Sequence, residues 1–328
     1  LLGVLVGCKA VEIGSSQTTR NTVGATALTP RASGATELLV IAPHPDDESL
    51  GCGGVIQQAL AAGQSVHVVL LTDGDGYPAA ASALSGKPVH SLAPSDFLEL
   101  ARVRQNEALA AVHLLGLAPA NLIFLGYPNP GLRKIYQAGD GAPYQQPFTQ
   151  KRETYGIARP DYHTEIHGKP AAYRKESIQA DLTEIIKRFK PSKIYVPSEA
   201  DKHADHQAAI WFVRDAVKAA RYMGPVDTYL IHAKPNGKWP WPRGITPKSK
   251  FEAPLWVYLN LRWAGLSWPP PIRVRLTQAE TAQKLKAIRS YQSQMRLAGE
   301  GPYLESFVKG EEIFWPDARR AGYGHRFY

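Results

Sequence analysis

Short, unbroken apolar runs alternate with longer amphipathic segments from residue 38 onward. Leu38–Pro43 (LLVIAP) has no polar position, the pattern of a strand covered on both faces. Leu50–Ala62 reads as a helix and Ser65–Thr72 (SVHVVLLT) as a second strand. Pro94–Leu115 is helical, with apolar residues at Leu98, Ala101, Ala108, Leu109, Val112 and Leu115. Asn121–Tyr127 (NLIFLGY) predicts a third strand, and Tyr173–Phe189 a helix ended by Pro191. Lys193–Pro197 follows as a fourth strand, Asp205–Ala220 as a helix and Thr228–His232 as a fifth strand. This βαβα order predicts an α/β, Rossmann-like, mostly parallel sheet with helices on both faces. Ligands of such sheets bind beyond the carboxyl ends of the strands.

Two stretches break the rhythm. Residues 128–170 are rich in Gly, Pro, Tyr and Gln and too long for a plain connection, which predicts a functional loop insertion. Residues 233–272 hold five of the seven tryptophans, so 233–328 is expected to form an aromatic-rich C-terminal layer. A last helix over Gln278–Met295 should precede an irregular end. No internal repeat is visible.

The length of 328 residues, 44% hydrophobic, suits one large domain or two small ones. The formal charge of +9 is spread along the chain, without a nucleic-acid-binding motif, and reads as ordinary surface charge rather than a nucleic-acid footprint. No run approaches the ~20 apolar residues of a membrane-crossing helix. The two cysteines, Cys8 and Cys52, form neither a disulfide framework nor a cysteine zinc cluster. Leu5-Val6-Gly7-Cys8 resembles the lipobox of bacterial lipoproteins. Residues 1–7 would then be a signal-peptide remnant, Cys8 the lipidated residue, and 8–36 a flexible tether of Ser, Thr, Gly and Ala, leaving 37–328 as the folded domain. That predicts the bacterial cell envelope, facing the periplasm or exterior, with membrane contact through the lipid only. A frayed apolar terminus with an incidental cysteine is the alternative.

The first strand runs into Ala42-Pro43-His44-Pro45-Asp46-Asp47-Glu48, where a site should lie. The fourth is followed by Asp201-Lys202-His203-Ala204-Asp205-His206. His and carboxylate ligands suit zinc and other borderline divalent metals. An Asp-capped turn is the bland reading of the first motif. Adjacent Asp46 and Asp47 point differently, so one can ligate while the other works on a water. His203 and His206, three apart, share a face of a helix's first turn, with Asp205 placed to orient an imidazole. A catalytic zinc needs three protein ligands and an open water position, a set that His44, Asp47 and His206 would fill.

Together these motifs resemble the PIG-L/LmbE-like family of zinc-dependent de-N-acetylases, with its (P/A)HPDDE and HxDH hallmarks. Further resemblance lies in Thr72-Asp73-Gly74, Arg104-Gln-Asn-Glu107, Leu125-Gly126-Tyr127-Pro128, Asp181-Leu182 and Tyr291-Gln292-Ser293-Gln294, over roughly residues 38–295. The resemblance implies hydrolysis of the N-acetyl group of an N-acetylglucosamine-type sugar, glycan or glycoconjugate. It implies Zn2+, or another divalent metal such as Fe2+, on His44, Asp47 and His206, and Asp46 as general base. His203 would stabilise the oxyanion as imidazolium, supported in charge and orientation by Asp205, and Asp46 or His203 would protonate the leaving amine. Arg104 matches a sugar-binding position, against the alternative of a helix salt bridge with Glu107. Asn129 stands where family members commonly carry a sugar-binding Asp; it keeps an acceptor but loses the charge.

Other features carry bland readings. Cys52 reads as a small core residue near the site and His67 as structural. His163 and His167, in the long loop, either touch substrate or are structural. Lys238-Trp239-Pro240-Trp241-Pro242-Arg243 fits a sugar-stacking or membrane-interface surface, or packing of the C-terminal layer. Competing functions are a zinc amidase acting on another amide, such as a thiol conjugate, and an inactive carbohydrate-binding lipoprotein. Intact acidic and histidine motifs argue against the latter. A dinucleotide-binding oxidoreductase lacks its G-x-G-x-x-G turn.

Overall fold

The computed structural model describes residues 37–139, 141–233 and 239–317. The lipobox-like Cys8, the tether to residue 36 and Lys238 lie outside the described residues.

Five parallel strands, β1 (Glu37–Ala42), β2 (Ser65–Thr72), β3 (Leu122–Tyr127), β4 (Lys193–Pro197) and β5 (Val226–Tyr229), carry the fold. Two more, β6 (Ile272–Arg275) and β7 (Glu311–Pro316), complete a sheet of order β3-β2-β1-β4-β5-β7-β6. The sheet is mostly parallel, as the βαβα rhythm predicts. The unbroken apolar run of β1 is explained by its two faces. Leu38, Val40 and Ala42 enter one core; Leu39 and Ile41 enter the other.

The first core lies under α1 (Asp47–Ala61), α3 (Pro94–Leu114) and α9 (Gln278–Ile288); α2 (Pro78–Ser85) packs beside α3. The second lies under α6 (Lys175–Phe189) and α7 (Ala204–Ala219), with α4 (Leu132–Ala138) and α5 (Tyr162–His167) from the 128–170 insertion. Pro191 stops α6 as expected, with Lys190 in the left-handed region at φ 47°. No helix among the described residues is long and apolar enough to cross a membrane.

The C-terminal part departs from the sequence reading. The single helix over Gln278–Met295 is divided into α9 and the short α10 (Gln292–Met295), followed by α11 (Glu300–Glu305). The expected irregular end contains β7, antiparallel to both β5 and β6. Within the tryptophan-rich segment, α8 (Leu255–Trp263) precedes β6. Trp239 is a core residue, only 2% exposed, whose indole N–H donates to Leu230 O at 3.0 Å; for this tryptophan packing is the correct reading. β7 hid from pattern reading because it begins with two acids. Both are buried and matched: Glu311 by Arg273, and Glu312 by Lys284 Nζ at 2.6 Å and the amides of Gly54 and Val55.

Close packing around α1 explains Gly51 and Gly54. A Cβ on Gly51 would stand 2.4 Å from the Tyr229 ring, and one on Gly54 would stand 2.3 Å from Leu276. Glycine lets α1 press against β5 and the C-terminal layer, so both serve packing rather than phosphate binding. Lys284 and Glu312 are both fully buried. Removing one partner leaves an uncompensated interior charge, worth about 3–5 kcal/mol. Lys284→Ala is therefore expected to lower unfolding free energy by that order in a denaturant titration. A loss near zero would show that the pair is dispensable.

Candidate metal centre and active site

β1 ends at Ala42 and the chain turns at once. Thr72, ending the neighbouring β2, holds the turn by donating its N–H and hydroxyl to Pro43 O at 3.0 and 2.7 Å. Asp46 then takes φ 126°, a conformation costly for a residue with a Cβ. Its amide donates to Glu48 Oε2 at 3.1 Å, and its carbonyl accepts from Leu50. Glu48 is fully buried, accepts also from Ser49 and Tyr291, and so fixes the strained turn from inside.

The turn brings His44 and Asp47 against His206, which β4 and the first turn of α7 supply. Asp47 Oδ2 lies 3.1 Å from His44 Nδ1 and 3.1 Å from His206 Nε2, and the two ring nitrogens are 3.2 Å apart. Two imidazoles and a carboxylate thus converge on one point in a buried pocket. Zinc bonds of about 2.0–2.1 Å at tetrahedral angles place ligand atoms about 3.3–3.4 Å apart. The triangle matches that edge within a few tenths of an ångström. His203 adds a ring nitrogen within 4.8 Å of those of His44 and His206, but the tight triangle consists of the three residues expected as ligands.

The backs of both imidazoles meet carboxylates. Asp201 Oδ2 approaches His206 Nδ1 at 3.1 Å, off the line of a straight hydrogen bond; Asp201 also accepts from the amides of His203, Ile231 and His232. Burial opposes charge on Asp201, yet His206 and His232 hold its carboxyl well below the usual range. Burial opposes protonation of His206 too, but Asp201 and Asp47 outweigh it and raise its pKa well above normal. Such carboxylate–imidazole pairs orient a metal-binding ring. Asp201 stood in the second motif without an assigned part. Only the fold reveals its position, because its partners Ile231 and His232 follow β5.

The expected support of His203 by Asp205 is electrostatic, while the hydrogen bonds of the carboxylate go elsewhere. The Asp205 carboxylate accepts from Asn129 Nδ2 and the amides of Gly131 and Leu132, and faces His44 Nε2 at 3.6 Å. Toward His203 its backbone N–H donates to Nδ1 at 3.3 Å as the cap of α7, and its negative charge favours protonation of that ring. The surroundings of His203 disfavour an imidazolium. Burial, reinforced by His44 and His206, pulls its pKa down to about 3. With Nδ1 accepting from the backbone, the neutral ring carries its proton on Nε2.

Arg104 and Asn129 line the same cavity, of about 410 Å³, and both also hydrogen-bond to neighbouring groups. Arg104 donates to Pro45 O at 2.6 Å, Gly74 O at 3.1 Å and Asp46 Oδ2 at 3.1 Å. It does not pair with Glu107, which instead accepts from the amide and hydroxyl of Ser293 at 2.7 and 2.6 Å. Asn129 Oδ1 accepts from Gly76 and its amide donates to Asp205. An Asp at 129 could not donate to Asp205, so the asparagine removes a carboxylate–carboxylate clash. Both residues brace the site from the cavity wall, a part beside sugar binding that the sequence reading missed. It also missed His232, just after β5, and Glu300 and Tyr303 of the C-terminal layer, which complete the wall. Cys52 is a buried free thiol, and His67 pairs with Glu37 and stacks on Phe189, both structural as expected.

A mostly parallel α/β sheet with these motifs at its carboxyl edge defines a hydrolase of the LmbE-like deacetylase type. The chain belongs to the PIG-L family of GlcNAc-PI de-N-acetylases, whose model matches residues 39–217. Similar solved structures include a zinc-inhibited form of teicoplanin deacetylase (18% identity, 86% of this chain and 97% of that one, TM-score 0.51). Another is A40926 pseudoaglycone deacetylase (19%, 86% and 97%, TM-score 0.50). A third is N,N'-diacetylchitobiose deacetylase from Pyrococcus horikoshii (20%, 86% and 84%, TM-score 0.49). At these identities the likeness is one of fold. No curated protein matches the sequence.

Because Asp201 stands behind His206, Asp201→Asn should weaken metal binding on the order of 10–100-fold while the protein stays folded. Chelator competition measures this. Unchanged affinity would detach Asp201 from the metal centre.

Proposed function

We propose that this protein removes the acetyl group from an N-acetylglucosamine-type sugar, with zinc held by His44, Asp47 and His206. The carrying observation is the buried triangle of Nδ1, Oδ2 and Nε2 at 3.1–3.2 Å. Two imidazoles and one carboxylate, with carboxylates behind the rings, suit a borderline divalent ion. When bound, such an ion acidifies a water and polarises an amide carbonyl.

The chain's own groups supply the proton traffic. Asp46 lies on the cavity wall, and burial pushes its carboxyl up to about 8 against the pull of Arg104. A carboxyl of raised pKa is suited to take a proton from the attacking water and to return it later. As that oxygen adds to the acetyl carbon, the carbonyl oxygen gains negative charge. The Nε2–H of neutral His203 is the donor for that charge. The carbon–nitrogen bond then breaks as the nitrogen is protonated, releasing acetate and a free amine. Asp46 is the proton donor in this step, because a neutral His203 giving up its proton would become an imidazolate. Arg104 keeps Asp46 in its strained turn throughout.

Asp46→Asn should lower kcat by roughly 10²–10⁴-fold with metal content intact. His203→Gln retains a donor and should lose less than His203→Ala. Acetate release and bound metal, measured on the same preparations, check this. Because His203 titrates far below its ordinary value, the pH–rate profile should show no falling limb near 6.5 from loss of an imidazolium. Such a limb, abolished in His203→Gln, would reinstate the imidazolium. Wild-type protein that binds metal and sugar yet releases no acetate would sink the deacetylase reading.

For location, we propose anchoring to the envelope through a lipid on Cys8. A precursor with Cys8→Ser should leave the membrane fraction; unchanged partitioning and processing would rule the lipid out.

A further inference from the structure

Outside the catalytic pocket, another set of metal-ligating side chains converges on the opposite core of the sheet. α5 presents His163 and His167 one turn apart on one face, with ring centroids separated by 4.5 Å. α6 presents Asp181 and Glu184, three residues apart, toward them. His163 Nδ1 lies 2.7 Å from Asp181 Oδ1, and His167 Nε2 lies 3.0 Å from Glu184 Oε2. One ligand atom each from His163, His167 and Asp181 falls within 4.8 Å of the others.

We propose that His163, His167 and Asp181 form a second divalent-metal site, with Glu184 at its rim, that clips the insertion after β3 to α6. The ion would be of the borderline class, such as zinc or cobalt, with water completing the shell. The order of the side chains supports this. Asp181 is buried at 1% exposure, and its Oδ2 accepts from Tyr127 OH at 2.6 Å, which fixes the carboxylate with Oδ1 toward the histidines. That hydroxyl does for Asp181 what outer-shell partners do for metal-binding carboxylates elsewhere. The side chains of His163, His167 and Glu184 are exposed at 19, 37 and 38%, so the cluster opens to solvent and an ion can enter. Two imidazoles this close repel if both are protonated, whereas neutral rings are ligands.

Two independent histidine–carboxylate pairs would give the same hydrogen bonds without binding metal. They do not require both histidines on one helical face and both acids on another. The two readings differ in stoichiometry. The site shares no residue with the catalytic triangle and does not depend on the deacetylase assignment.

Metal-stripped full-length protein would be dialysed against zinc and its content measured. Wild type should take up about two equivalents, and His163→Ala/His167→Ala about one, given one ion per three-ligand set. His206→Ala should also retain about one, located at the second site, and zinc should still raise its Tm. Adding the two histidine substitutions to His206→Ala should abolish both the uptake and the Tm rise. If His163→Ala/His167→Ala binds as much zinc as wild type, the second site is overturned. If His206→Ala loses no equivalent, the catalytic ligand set fails instead, so the two failures are distinguishable. Should the double variant not fold, His167→Gln at its exposed position gives the same reading: the second equivalent should weaken, and unchanged binding would overturn the site.

Discussion

Two ring nitrogens and a carboxylate oxygen held 3.1–3.2 Å apart in a buried pocket need positive charge among them, whether protons or a metal ion. His44 Nδ1, Asp47 Oδ2 and His206 Nε2 are in that position, and the surrounding structure is arranged to keep them there. His206 is held from behind by Asp201, itself tied to the backbone after β5. His44 faces Asp205, whose other contacts reach into the loop after β3. Asp47 follows a residue at φ 126°, a turn that would relax if left alone.

That strain is opposed from two sides. Arg104 reaches from α3 to the carbonyl of Pro45 and the carboxylate of Asp46. Glu48 reaches back to the Asp46 amide and is itself held by Tyr291, just after α9. Segments far apart in sequence therefore determine where one carboxylate points. Arg104-Gln-Asn-Glu107 and Tyr291-Gln292-Ser293-Gln294 become intelligible in this light. Arg104 holds the strained turn, Gln105 accepts from the amide of Ala158, and Glu107 binds Ser293. Residues that the sequence reading gave to substrate also frame the candidate metal centre.

The C-terminal layer has the same logic at larger scale. Glu312 enters the interior and is matched by Lys284 and by two amides of α1, the helix that starts at the acidic motif. The layer also supplies Glu300 and Tyr303 to the cavity wall beside His232. Attachment of the layer and shape of the pocket are thus one packing problem, solved by close approach at Gly51 and Gly54.

The chain by itself determined the five parallel strands, the four long helices between them and the two motifs at their carboxyl edges. Those features are local: periodic burial and short spacings persist whatever the rest of the molecule does. The gathering of His44, Asp47 and His206 was legible because each follows a strand of one parallel sheet, and such sheets bring carboxyl ends together. Tertiary structure alone decided the rest. It brought the Asp205 carboxylate to His44, buried His203 with its Nδ1 occupied by a helix cap, and tied Arg104 and Asn129 to neighbouring groups of the cavity wall. It also turned the acidic start of Glu311–Pro316 into a buried strand. In each case the deciding partner comes from a distant element, or from burial that changes a group's charge, and neither is written in the local pattern.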